Sequence, residues 1–131
     1  MPMDKIEAIL DDLCKGKMIV LLDDEDRENE GDLIFAAQFV TPEKIAFMAK
    51  NGRGLICVPM TQSRAHELDL HSMVENNTAP LQCNFTVSVD SKKVKTGISA
   101  CDRSLTIQAI SSLKTKPDDL VRPGHIFPLI G

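Results

Sequence analysis

The apolar run Met18–Leu22, MIVLL, ends abruptly at Asp23 and gives way to DDEDRENEGD, in which seven of ten residues are Asp or Glu. A short apolar run of this kind is typical of a buried strand. An acidic decapeptide cannot follow it into a core, because unpaired charge is costly to bury. The junction at Asp23 therefore predicts a strand end that delivers carboxylates to the surface, where ligands of α/β proteins gather. The acids Asp23, Asp24, Glu25, Asp26, Glu28, Glu30 and Asp32 repel one another, so the pattern suits a hard cation or a basic partner. A solvated acidic loop is the simpler alternative. An EF-hand is excluded: counted from Asp24, position six is Asn29 and position twelve is Phe35. Arg27 either neutralises its neighbours or reaches a phosphate, for which its planar fork is suited.

Around this segment the chain reads as alternating helices and strands, an α/β or α+β domain. Ile6, Ile9, Leu10 and Leu13 share helical spacing, with Asp4 as a cap and Gly16 as a stop. Leu33 to Ala37 reads as a strand. Thr41-Pro42-Glu43 opens a helix that ends near Asn51-Gly52. Gly54–Met60 reads as a strand, Thr61 caps a short helix, and residues 69–83 look irregular. Phe85–Asp90 alternates as a half-buried strand does. Asp102 or Ser99 caps a helix carrying Leu105, Ala109, Ile110 and Leu113. The last strand is His125–Ile130, introduced by a tight bend at Pro123-Gly124. A histidine at such a junction is placed for acid–base work, although a lone histidine is more often structural. His66 and His71 have no comparable setting. Cys57, within GLICVPM, reads as a core thiol.

The 131 residues suit one domain, and 43% hydrophobic residues suffice for a core. A net charge of -4 argues against a nucleic-acid partner. Cys14, Cys57, Cys83 and Cys101 are scattered, without zinc-finger spacing, which suits free thiols in a reducing compartment. No signal peptide and no membrane-length apolar run is seen, so a soluble, cytoplasmic protein is expected.

In order along the chain stand LDDEDRENEGDLIF, GLICVPM, MVENNT, FTVSVD, TGISACDR and RPGHIFPL. Together, from about Met18 to Gly131, they resemble the signature of the 3,4-dihydroxy-2-butanone 4-phosphate synthases. The resemblance implies a mixed-sheet α/β sandwich of the α+β type. It implies conversion of D-ribulose 5-phosphate to L-3,4-dihydroxy-2-butanone 4-phosphate and formate, with Mg2+ or Mn2+. It also implies a homodimer with sites near the subunit interface and, in bifunctional relatives, a fused GTP cyclohydrolase domain. Carried over residue by residue, it makes Glu28 the metal-binding carboxylate. His125, Glu30 and Cys57 fall in the catalytic set. Arg27, Glu28, Asp32, Asp23 and Thr96 fall in the substrate-binding set.

The family pattern continues into a glycine-rich segment with a GHTEA-type motif, whose histidine is a second metal ligand, and then to a further catalytic glutamate. The chain is therefore expected to be the N-terminal part of a single synthase-like domain that runs on past Gly131. Residues 1–131 alone are expected to be inactive and prone to self-association, with Ile126–Ile130 left as an unpaired strand edge. The competing expectation is a truncated, non-catalytic module that binds sugar phosphate or dimerises with a complete partner. A distant relative binding nucleotide or RNA fits the acidic charge less well.

Overall fold

A computed structural model describes residues 2–131. Two compact units divide the chain, Met1–Val40 and Thr41–Gly131.

In the first unit, helix α1 (Ile6–Cys14) leads to the antiparallel hairpin of β1 (Ile19–Leu22) and β2 (Gly31–Ile34). Lys5, not Asp4, is the N-cap residue of α1, and no side chain caps that end. The helix stops where expected, with Gly16 in the left-handed region. Strand β2 begins two residues earlier than the sequence suggests, and Ala37–Phe39 form a 3-10 turn. The expectation of a buried MIVLL strand is corrected: Val20, Leu21 and Leu22 are 61%, 55% and 50% exposed. The reason is topological. In this unit β1 pairs with β2 alone, and a two-stranded ribbon cannot bury both of its faces.

The second unit holds α2 (Pro42–Asn51), β3 (Cys57–Met60), α3 (Gln62–Glu67), β4 (Val89–Ser91), α4 (Ala100–Ser111) and β5 (Leu120–Ile130). Hydroxyl caps start three of these helices. Thr41 Oγ1 accepts from the Lys44 N–H, Thr61 Oγ1 from that of Arg64, and Ser99 Oγ from that of Asp102. Each satisfies an amide that has no partner inside its helix. Helix α4 stops at Ser111, which leaves Leu113 outside it and exposed.

The sheet order is β3-β5-β4, parallel on one side of β5 and antiparallel on the other. The expectation of an unpaired terminal strand is thereby overturned. Cys57–Met60 pair with Phe127–Ile130, and on the other flank the Thr86 N–H donates to the Pro128 carbonyl and the Ile130 N–H to that of Asn84. The strand expected over Phe85–Asp90 is regular only from Val89; Phe85 and Thr86 make isolated bridges.

Helix α4 packs on β4 and β5, and α2 packs on α4. Ile45, Val89, Ile107, Ile110, Leu120 and Ile126 form this core. Each fully buried aliphatic side chain contributes roughly 2 kcal/mol. Thr106 is buried and paired: its Oγ1 accepts the Ser91 N–H at 2.9 Å and lies 3.2 Å from the Asp102 carbonyl, to which it donates. Arg122 Nη2 donates to the Leu68 carbonyl at 2.6 Å and ties β5 to the end of α3.

Candidate active site

The acidic segment forms the connection of the β1–β2 hairpin, and one carboxylate organises it. Asp23 Oδ1 accepts the Asp24 N–H at 2.8 Å, while Oδ2 accepts the Glu28 N–H at 3.0 Å and Arg27 Nη1 at 2.9 Å. The Asp23 N–H closes the loop onto the Glu30 carbonyl, and Asn29 turns the chain with φ +52°. Partial burial pushes the Asp23 carboxyl upward. The Glu28 and Asp24 amides and Arg27 outweigh it and hold the group below its ordinary 3.8. Arg27 Nη2 also stands 3.3 Å from Glu28 Oε1, so the neutralising role considered for Arg27 is realised. Glu25, Asp26, Glu30 and Asp32 are exposed. Among the described residues no group of three His, Cys, Asp or Glu side chains is arranged to hold a metal ion. Glu28 nevertheless suits Mg2+, which takes one or two carboxylates and keeps several other positions for water or substrate.

In the second unit His125 lies within β5, not at a loop junction. The expected bend at Pro123-Gly124 is a bulge inside a continuous strand: Val89 pairs with Ile126, but Asp90 pairs with Val121. A Cβ on Gly124 would collide with the Val89 and Asp90 backbone, so this close crossing requires glycine. The Gly124 N–H donates to Ser88 Oγ at 3.1 Å.

The bulge brings His125 against Asp90. Asp90 Oδ1 accepts the His125 N–H at 2.8 Å, and Oδ2 lies 2.9 Å from His125 Nδ1. Asp90 is buried, while the His125 side chain is 41% exposed. Gly97, at φ +92°, covers the pair. A Cβ there would overlap the Asp90 carboxylate and stand 2.7 Å from His125 Nδ1. The Gly97 N–H is held by Asp102 Oδ2 at 3.0 Å, which joins this cover to the first turn of α4. Thr96, immediately before it, is exposed.

Cys57 is half-buried and pairs in register with Phe127, two residues beyond His125. Cross-strand partners share a face and side chains alternate, so Cys57, His125 and Phe127 lie on one face of the sheet. The sequence reading missed Asp90 and Gly97. Its available signal was slight: Asp90 closes FTVSVD on the polar phase of the alternation, with Thr86 and Ser88, where an acid is unremarkable.

A mixed sheet carrying helices places the chain among the α+β proteins, with a buried Asp90 gripping a part-exposed His125. The family model for 3,4-dihydroxy-2-butanone 4-phosphate synthase matches residues 7–131. The chain is 57% identical to the riboflavin biosynthesis protein RibBA of Bacillus subtilis, over 95% of this chain and 31% of that protein. It is 56% identical to a 3,4-dihydroxy-2-butanone 4-phosphate synthase of Oceanobacillus iheyensis, over 98% of this chain and 62% of that protein. A solved synthase in complex with two magnesium ions superposes with a TM-score of 0.96 at 44% identity, over 98% of this chain and 61% of that one. The chain belongs to the 3,4-dihydroxy-2-butanone 4-phosphate synthase family. It spans about a third to three-fifths of these relatives' length.

Proposed function

We propose that the intact protein converts D-ribulose 5-phosphate into L-3,4-dihydroxy-2-butanone 4-phosphate and formate in riboflavin biosynthesis. The observation that carries this reading is the family match across residues 7–131, which includes both the acidic loop and the RPGHIFPL strand. Both compact units belong, on this reading, to one synthase domain.

Glu28 is the protein's carboxylate for Mg2+ or Mn2+, with its backbone pinned by Asp23 and its side chain at the surface. A divalent ion bound there would stabilise negative charge on the ketose oxygens. Arg27 and Asp32 contact substrate, and the Arg27 fork suits its phosphate or hydroxyls once substrate competes for it. Asp23 holds the loop in shape for them. Glu30 stands close to the reacting atoms. His125 transfers protons from the open edge of its ring, with Cys57 on the same sheet face and Thr96 in the substrate pocket. The protein works as a cytoplasmic homodimer. The exposed Val20, Leu21 and Leu22 support a further covering surface. The share of RibBA that this chain leaves uncovered supports a fused second domain, such as a GTP cyclohydrolase, in the intact protein.

Formate release from ribulose 5-phosphate by the purified intact protein tests the reading. Turnover should require Mg2+ and stop on chelation. A folded, metal-supplied protein that releases no formate overturns it, and binding of ribulose 5-phosphate without turnover would mark a non-catalytic module.

A further inference from the structure

We propose that Asp90 is a positioning residue that holds His125 in its Nδ1–H tautomer and reserves Nε2 for proton transfer. The inference rests on the assignment of proton transfer to His125.

Asp90 spends both carboxylate oxygens on one residue. Oδ1 takes the His125 backbone N–H at 2.8 Å and Oδ2 faces Nδ1 at 2.9 Å. This two-point grip fixes the strand position and the ring rotation together. An ionised carboxylate only accepts hydrogen bonds, so the ring nitrogen facing it carries the proton. The lone pair of the neutral ring is then at Nε2.

The surroundings protect this arrangement. Asp90 is 6% exposed, and Gly97 lies so close over the pair that no Cβ fits. Water therefore has little access to the Asp90–Nδ1 contact from that side, and a hydrogen bond shielded from water is stronger. The His125 side chain as a whole stays 41% exposed. The grip also depends on the bulge: regular pairing of residues 122–125 would put the Asp90 side chain out of register with the imidazole.

Asp90→Asn is the informative change. The His125 N–H still needs an acceptor, so the amide oxygen takes it and the NH2 group is turned toward Nδ1. The ring must then accept at Nδ1 and carry its proton on Nε2. In the intact protein, imidazole 15N NMR, assigned by comparison with His125→Asn, should show neutral wild-type His125 protonated at Nδ1. The Asp90→Asn spectrum should show the proton on Nε2. With ribulose 5-phosphate and Mg2+, kcat should fall by about a hundredfold, with KM changed by less than about threefold. A wild-type ring protonated at Nε2, or an Asp90→Asn protein with unchanged kcat, overturns the inference. If Asp90→Asn does not fold, the wild-type spectrum decides alone. Near-normal kcat in His125→Asn would remove the proton-transfer assignment itself, an outcome distinct from loss in His125→Asn with no effect of Asp90→Asn.

Discussion

Arg27 stands one helical turn's spacing beyond Asp23, with Nη1 2.9 Å from its carboxylate, and is the only cation in the ten-residue acidic loop. The pair belongs to a larger arrangement in which Asp23 also receives two backbone amides. Because the folded value of Asp23 is depressed, its contribution to loop stability is present above the ordinary 3.8 and is lost as pH falls below it through the folded value. The Glu28 amide proton, bonded to Asp23, should therefore titrate by NMR with a midpoint below 3.8. Asp23→Asn should abolish that titration. A midpoint at or above 3.8 contradicts the assignment.

Glu28→Gln preserves side-chain size, and the backbone bond to Asp23 is untouched by it. The loop should keep its shape. Mg2+ affinity measured by calorimetry should weaken at least about tenfold, and turnover of ribulose 5-phosphate by the intact protein should fall by on the order of a hundredfold. Normal turnover with unchanged magnesium dependence would remove Glu28 from the metal site.

Gly97→Ala and Gly54→Ala form a matched test of the cover over Asp90. Gly97 has φ +92° and no room for a Cβ, whereas nothing lies within 4 Å of a Cβ at Gly54. Gly97→Ala should cost about 2 kcal/mol or more, while Gly54→Ala should stay within about 0.5 kcal/mol of wild type. Denaturant unfolding measures both. Equal effects would mean that the chain does not press on the Asp90–His125 pair at Gly97.

Arg64 reaches from α3 to the end of α4. Nη2 donates to the Ile110 carbonyl at 3.0 Å and to the Ser112 carbonyl at 2.7 Å, and the side chain is largely buried. Arg64→Ala leaves the Ile110 carbonyl and its neighbour without this donor and should cost roughly 1–3 kcal/mol. Backbone hydrogen exchange should rise first in the last turn of α4. Uniform acceleration across the unit would instead indicate a global packing effect.

What could be read from the sequence follows how local each determinant is. Thr41 and Thr61 were legible as caps because an N-cap acts on an amide three residues away. The Ser99 and Asp102 alternatives were resolved only by geometry: Ser99 caps the helix, while the Asp102 carboxylate turns back to Gly97. The MIVLL strand was legible as a strand but not in its exposure, since burial depends on what covers β1 rather than on β1 itself. The acidic loop and His125 stood out as composition and motif. Their local partners differ in legibility. Arg27 and Asp23 lie within one turn of chain, whereas Asp90 meets His125 across a bulged strand pair from 35 positions away. No periodicity encodes that register.

The central place of β5 also has a consequence for how the polypeptide is made. Its neighbours β3 and β4 both precede it in sequence, and they are joined to one another only through it. During synthesis the ribosome delivers two strands with no mutual pairing, and they must wait for the segment that binds both. Until Leu120–Ile130 has left the exit tunnel, the sheet cannot close, and the emerging chain presents open backbone edges to chaperones and to other nascent chains.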